Sequence, residues 1–203
     1  MSDSDQSLKI GIVGLGYVGL PLVLQFAKSG AQVLGIDVDA SKVAAINAGE
    51  SYIKHISGTE VQTQLGAGRL RATEDFAEVA QLDAILICVP TPLNEAREPD
   101  LSYVLDTARA IAPHLRQGSV VVLESTTYPG TTEEELQPLL EEGSGLKVGN
   151  DFHLAFSPER EDPGNPDSQV ARIPKVIGGC TSTCLERAMA VYSIAIETLV
   201  PVS

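Results

Sequence analysis

The stretch from residue 10 to residue 37 constrains the fold more than any other part of this chain. It opens with a short apolar run, passes through a turn with glycine at three positions, continues as an amphipathic segment and ends in a second apolar run closed by an acid: Ile10–Val13, Gly14–Gly19, Leu20–Lys28 and Val33–Asp37. Short apolar runs bounded by glycine are typical of buried strands, and apolar residues at helical spacing favour a helix. The stretch therefore predicts a strand, a glycine-rich turn, a helix and a second strand.

The three glycines match the Gly-x-Gly-x-x-Gly fingerprint of dinucleotide-binding folds. Gly14 allows the tight turn out of the strand, Gly16 lets a pyrophosphate approach the backbone, and Gly19 lets the helix lie close to the sheet. The phosphates would lie on free N–H groups at the positive end of the helix dipole. Tyr17 and Val18, which stand between these glycines, belong to the predicted cofactor contacts.

The acid at the end of the second strand indicates which dinucleotide binds. Asp37 lies about twenty residues beyond the turn, where a carboxylate accepts hydrogen bonds from the adenosine ribose diol and repels a 2′-phosphate. The predicted cofactor is therefore NAD rather than NADP. Lys42 follows, with Asp39 nearby, and two interpretations stay open for it: contact with a cofactor phosphate or a solvated helix charge.

Composition argues against several function classes. The net charge of -13 disfavours nucleic acid as a partner, because phosphate binding needs clustered Lys and Arg. No apolar run approaches the roughly twenty residues of a membrane span. The cysteines Cys88, Cys180 and Cys184 form no metal-like set with the three histidines, so no metal site is expected. Their sparse, odd count fits a reducing cytoplasm.

Strands and helices alternate along the rest of the chain. We expect strands at Leu70–Thr73, Ala84–Val89, Ser119–Leu123, Phe152–Phe156, Val176–Ile177 and Thr198–Val200. We expect helices at Ala40–Ala48, Glu60–Leu65, Phe76–Ala80, Leu101–Leu115, Thr131–Glu142 and from Cys180 or Thr181 to Ser193. This alternation predicts a doubly wound, parallel α/β sheet with right-handed crossovers, in one Rossmann-like domain over residues 1–203.

Details of two segments follow from their residue types. The helix after Gly130 is expected to begin with Thr131 or Thr132 as its N-cap and Glu134 or Glu135 at the third position. The loop Pro90–Pro99 cannot continue a strand and emerges at the carboxyl end of the sheet, where ligands bind in open α/β folds. The chain stops directly after its last strand, which suggests an end at a domain boundary.

Four segments in this order resemble the UDP-glucose/GDP-mannose dehydrogenase family of nucleotide-sugar 6-dehydrogenases: Ile12–Pro21, Val89–Pro92, Glu124–Thr132 and Phe156–Arg160. The resemblance implies oxidation of a sugar C6 alcohol through an aldehyde to a carboxylate with two NAD, a cysteine thiolate capturing the aldehyde. The family's nucleophilic cysteine, its central helix and its C-terminal nucleotide-sugar domain match nothing within residues 1–203. The resemblance therefore implies that this chain binds NAD but does not complete the reaction alone, and that the full-length protein is a homodimer acting on a UDP-sugar.

The resemblance also implies roles for individual residues. Thr91 resembles the family threonine that touches the cofactor, and Thr126 the one near the nicotinamide and a catalytic water. Glu159 resembles the glutamate that acts as general base on water during thioester hydrolysis, and Arg160 is expected to line the sugar–nucleotide pocket with it. From residue type alone, a threonine that satisfies loop backbone and a surface loop acid are the alternatives for Thr126 and Glu159.

One loop bears on the substrate. Ser157–Asn165 is most similar to family members that oxidise UDP-N-acetylglucosamine, since it lacks the Phe-Leu-Arg-Glu continuation of UDP-glucose enzymes and has Pro163 where those enzymes place an acid. UDP-N-acetylmannosamine and UDP-glucose are the alternative substrates. A non-enzymatic NAD-binding regulatory module and a β-hydroxyacid-type dehydrogenase are alternatives of other classes, although the latter lacks the Ser-Pro-Glu loop.

Overall fold

The computed structural model of the chain describes residues 8–93, 99–159 and 173–202. The strands are β1 (Lys9–Val13), β2 (Gln32–Ile36), β3 (Leu70–Thr73), β4 (Ala84–Ile87), β5 (Val120–Leu123), β6 (His153–Phe156), β7 (Lys175–Gly179) and β8 (Leu199–Val202). The α-helices are α1 (Gly19–Lys28), α2 (Ala40–Asn47), α3 (Gly58–Gly66), α4 (Ser102–Ile111), α5 (Gln137–Ser144) and α6 (Ser182–Tyr192). None of the helices within these ranges has the length and apolar character that crossing a membrane requires.

The strands of the described residues form one sheet in the order β3-β2-β1-β4-β5-β6-β7-β8. Neighbouring strands pair in parallel, apart from β6 and β7. The order runs outward in both directions from β1 and β4, so the chain reverses its winding between these strands, and ligands bind beyond the carboxyl ends of strands at such a point. The predicted doubly wound, Rossmann-like α/β fold is confirmed.

The expectation of a wholly parallel sheet is wrong at β7. Phe156 pairs with Gly178 in antiparallel register, so β7 starts at the edge of the sheet where β6 ends. An antiparallel neighbour needs no crossover to the opposite edge. Lys175, the first residue of β7, therefore lies beyond the carboxyl end of β6.

Two apolar layers cover the two faces of the sheet. One layer joins α1, α2, α3 and α6 to side chains such as Ile12, Leu86 and Val122. The other joins α4 and α5 to their neighbours in the strands, such as Val13 and Val121. Because successive strand residues point to opposite faces, strands buried on both sides consist almost entirely of apolar residues.

The helix after Gly130 begins differently from the expectation. Gly130 itself is the N-cap, with φ +94°, and no side chain caps the turn. Thr131–Leu136 then form a wide π-helical turn that runs into α5. The Thr131 hydroxyl is occupied elsewhere, since it donates to the Tyr128 carbonyl at 2.8 Å.

Candidate functional site

The three glycines of the turn after β1 differ in what surrounds them. Gly14 has φ +94°, and a Cβ there would lie 2.6 Å from the Cys88 carbonyl oxygen. A Cβ on Gly19 would lie 1.8 Å from the Gly14 carbonyl oxygen. Gly16, by contrast, has no atom within 4 Å of the position of a Cβ. The fold itself requires glycine at the first and third positions, whereas the second faces open space.

The backbone at the start of α1 offers free donors. Leu20 N donates to Gly16 O at 3.1 Å, and Val18 provides no side-chain cap. Within the described part of the chain, the N–H groups of Gly16, Tyr17 and Val18 have no acceptor. Uncapped N–H groups at the positive end of a helix dipole favour an anion.

Asp37 stands at the end of β2 and is 6% exposed. Its Oδ2 accepts hydrogen bonds from Leu15 N at 2.7 Å and from Lys42 Nζ at 3.2 Å, and its Oδ1 accepts one from Asp39 N at 2.9 Å. A carboxylate has about four acceptor positions, so Oδ1 retains capacity for a ligand hydroxyl. Lys42, one of the predicted cofactor contacts, is paired with Asp37 here.

Two clefts open at the carboxyl end of the sheet. The Asp37 cleft has a volume of about 400 Å³ and is lined by Asp37, Phe76, Tyr103 and Thr107 among others. The Thr126 cleft has a volume of about 340 Å³ and is lined by Gly16, Tyr17, Thr91, Thr126 and Glu159 among others. Gly14, Val89 and Pro90 border both clefts. The two clefts therefore adjoin at these residues, near the point where the winding of the sheet reverses, and together they are called the groove.

Hydroxyl groups hold the loops after β4 and β5 together. Thr91 Oγ1 donates to the Thr126 carbonyl at 2.6 Å, and Ser125 Oγ donates to the Val89 carbonyl at 2.6 Å. Thr126 itself is exposed at the cleft. The backbone of this residue is thus fixed while its side chain faces the groove.

Glu159 follows β6 and lines the Thr126 cleft. It is half-buried, and its negative charge contributes to raising the pKa of both Lys175 and Glu124. The structure therefore brings Glu159 and Thr126 to one cleft, although they come from separate strands. Arg160 lies outside the described residues.

Residues 8–196 match the UDP-glucose/GDP-mannose dehydrogenase family, NAD binding domain. This chain belongs to that family. Because the match is to its NAD-binding domain, the predicted cofactor, NAD, is confirmed.

Relatives within the UDP-glucose/GDP-mannose dehydrogenase family extend well past this chain. UDP-N-acetyl-D-glucosamine 6-dehydrogenase of Pseudomonas aeruginosa is 35% identical over 92% of this chain and 43% of its own length. UDP-N-acetyl-D-mannosamine dehydrogenase of Escherichia coli K12 is 40% identical over 93% and 46%. The crystal structure of NDP-N-acetyl-D-galactosaminuronic acid dehydrogenase from Methanosarcina mazei Go1 superposes with a TM-score of 0.90, at 35% identity, over 97% of this chain and 44% of that one. The chain spans less than half the length of these relatives.

Sequence reasoning about this family member missed a buried polar network under the Thr126 cleft. Glu124 accepts hydrogen bonds from Lys175 Nζ at 2.8 Å and from the Tyr192 hydroxyl. Lys175 Nζ also lies 5.3 Å from the centroid of the Tyr192 ring, within cation–π range. All three side chains are buried.

Burial sets the direction of the pKa shifts of two groups in this network. It raises the pKa of the Glu124 carboxyl and of the Tyr192 hydroxyl, and the Lys175 ammonium group counteracts the shift at Glu124. Burial alone would lower the pKa of Lys175, but the nearby carboxylates, Glu124 first, together outweigh it and raise that pKa. One signal in the sequence could have revealed this network: Glu124 directly follows the apolar strand run Val120–Leu123. An acid at the end of a buried strand needs a charged or hydrogen-bonding partner.

Proposed function

We propose that this chain is the cofactor domain of a nucleotide-sugar 6-dehydrogenase that oxidises the C6 alcohol of a UDP-N-acetylhexosamine, with UDP-N-acetylglucosamine favoured. The observation that carries the proposal is the meeting of Thr126, Glu159 and the glycine-rich turn around one cleft. Each comes from a different strand end, as expected of a site at the switch point of a doubly wound sheet. The enzyme is expected to work in the cytoplasm.

The groove supports one placement of NAD. The adenosine lies in the Asp37 cleft with its ribose diol on Asp37, and the pyrophosphate lies on the N–H groups of Gly16, Tyr17 and Val18. The nicotinamide then reaches the Thr126 cleft, beside Thr91. The open space at Gly16 fits the group, because a Cβ there meets no protein atom within 4 Å. Bound NAD supplies a hydride acceptor.

Thr126 and Glu159 would handle water and protons in this reaction. The exposed Thr126 hydroxyl can hold a water or stabilise charge developing at the C6 oxygen. Glu159 can act as general base on the water that cleaves a thioester. Burial raises the pKa of the Cys88 thiol well above its ordinary value, so Cys88 stays neutral and does not serve as the nucleophile.

The choice of sugar rests on the loop that begins at Ser157 and continues outside the described residues. Relatives that act on N-acetylglucosamine and N-acetylmannosamine derivatives are 35% and 40% identical to this chain, so overall identity does not separate them. UDP-N-acetylmannosamine is the second candidate, and UDP-glucose the third. A non-enzymatic NAD-binding module is the candidate of another class. We also propose that the full-length protein is a homodimer.

Turnover by the full-length protein tests both the proposed sugar and the choice between an enzyme and a regulatory module. We expect NADH formation with a UDP-N-acetylhexosamine, fastest with UDP-N-acetylglucosamine, in a panel that includes UDP-N-acetylmannosamine and UDP-glucose. Preference for UDP-glucose would refute the proposed substrate class. If NAD binds and no nucleotide sugar is oxidised, the regulatory module is the better description.

Titration calorimetry with this chain tests the placement of NAD. We expect NAD to bind, and Asp37→Ala to weaken NAD because the ribose loses its acceptor. Asp151→Ala is the matched control, since Asp151 accepts a hydrogen bond from Lys147 N at 2.9 Å and lies just before β6, at the amino end of the sheet and away from both clefts. Equal affinity of the unchanged chain for NADP and NAD would contradict the role of Asp37.

A further inference from the structure

Leu15, between the first two glycines of the turn, is held on every side. Its side chain is fully buried and packs on Gly35, where a Cβ would lie 2.8 Å from Leu15 Cδ2. Its N–H donates to Asp37 Oδ2 at 2.7 Å. Its carbonyl accepts a hydrogen bond from the Tyr52 hydroxyl. Both polar groups of this residue are therefore occupied inside the protein.

Tyr52 reaches the turn from the segment between α2 and α3. Ile53 and Ile56, which follow it, are buried and anchor this segment. Burial, together with the negative charge of Asp37 and Asp39, raises the pKa of the Tyr52 hydroxyl. The Tyr52 hydroxyl therefore stays protonated and donates a hydrogen bond to the Leu15 carbonyl.

The hydrogen bond from Tyr52 has a geometric consequence for Gly16. The Leu15 carbonyl and the Gly16 N–H belong to one planar, trans peptide unit and point in opposite directions. A donor that fixes the Leu15 carbonyl therefore also fixes the direction of the Gly16 N–H, which points away from Tyr52. Gly16 has no Cβ to restrain its backbone, so this plane would otherwise rotate more freely.

We propose that Tyr52 is a positioning residue for the cofactor: its hydroxyl holds the Leu15–Gly16 peptide plane so that the Gly16 N–H is preset to donate to the pyrophosphate. The inference rests on the proposed placement of the pyrophosphate on this turn. Preorganised donors bind an anion more tightly because less ordering is needed on binding. Asp37 restrains the preceding peptide plane, Gly14–Leu15, by accepting a hydrogen bond from the Leu15 N–H.

Tyr52→Phe removes the hydroxyl and keeps the ring. With the 203-residue chain, we expect calorimetry to show NAD bound about twofold to tenfold more weakly, the range that one net hydrogen bond covers. Adenosine, which has no phosphate, should bind both forms equally when titrated by NMR. Thr63→Val is the matched control, because it deletes an exposed hydroxyl that donates to the Thr59 carbonyl at 2.7 Å, in α3 and outside the groove.

The outcomes separate this inference from the proposed function. Unchanged NAD affinity in Tyr52→Phe would overturn the positioning role and leave NAD binding intact. An equal loss for NAD and adenosine would also overturn it, because a general disturbance of the fold lowers both. Failure of the unchanged chain to bind NAD would overturn the positioning role together with the placement of the cofactor.

Discussion

Gly16→Ala should separate the needs of the ligand from those of the fold. In the protein, a Cβ at Gly16 meets no atom within 4 Å, and its φ is outside the left-handed region. Alanine also reduces the freedom of the unfolded chain, so the free energy of unfolding should stay the same or rise by about 0.4–1 kcal/mol. The fold alone gives no reason for glycine here.

The effect on NAD should be far larger. With the pyrophosphate on this turn as proposed, a methyl group at Gly16 would hold it away from the backbone, and each hydrogen bond to a charged group is worth about 1.5–3 kcal/mol. Loss of two such bonds amounts to about 3–6 kcal/mol, which is a weakening of at least about a hundredfold. We therefore expect a stable protein that no longer binds NAD measurably.

Calorimetry for NAD and urea unfolding for stability measure the two effects separately. Gly66→Ala is the matched control, since a Cβ there also meets nothing within 4 Å, and its site at the end of α3 is outside both clefts. Gly19→Ala is the contrast, because its Cβ would lie 1.8 Å from the Gly14 carbonyl oxygen and should destabilise the fold by about 1–3 kcal/mol or more.

Two results would refute this reasoning. If Gly16→Ala bound NAD as tightly as the unchanged chain, the pyrophosphate could not lie over this position. If Gly16→Ala lost as much stability as Gly19→Ala, the space around Gly16 would not be open in the folded protein. Weaker NAD binding could then result from a damaged fold and not from a clash between the methyl group and the ligand.

Two further variants test the buried polar groups. Lys175→Met leaves the Glu124 carboxylate buried without its cation and should lower the free energy of unfolding in urea by about 3–5 kcal/mol; a loss below about 1 kcal/mol would contradict a tightly coupled pair. Burial, and then the charge of Arg187, lower the pKa of His153 from its ordinary 6.5, so the unfolded chain takes up this proton first and stability should fall as the pH drops below that value. Unfolding at a series of pH values should show that the stability of His153→Gln falls less steeply than that of the unchanged chain. Substitution of the exposed His55 is the control, and an equal fall in stability in the two variants would count against His153.

Local patterns predicted most of the secondary structure. Short apolar runs marked β1, β2, β4 and β5, and apolar residues at helical spacing marked α1. The helix after Gly130 was misjudged at its start because the Thr131 hydroxyl bonds to Tyr128 across the turn. A hydroxyl can cap a helix or satisfy a loop carbonyl, and residue type does not distinguish them.

The sequence likewise predicts some features of the candidate site and not others. The glycine pattern and Asp37 could be read directly, because their spacing is set within one strand–turn–helix–strand unit. The clamp on Leu15 could not, since Tyr52 reaches it from 37 residues away along the chain. Contacts of that separation depend on how elements pack and leave no local pattern.

The order of residues alone was sufficient for the fold class and the cofactor, since both follow from periodicity, glycine spacing and backbone sterics over a few residues. The direction of β7 depended on the packed sheet. Its antiparallel pairing with β6 carries Lys175 to the carboxyl edge, beside Glu124. A parallel β7 would start at the opposite edge and leave this buried acid without its cation, so the charge balance under the cleft is a property of strand direction.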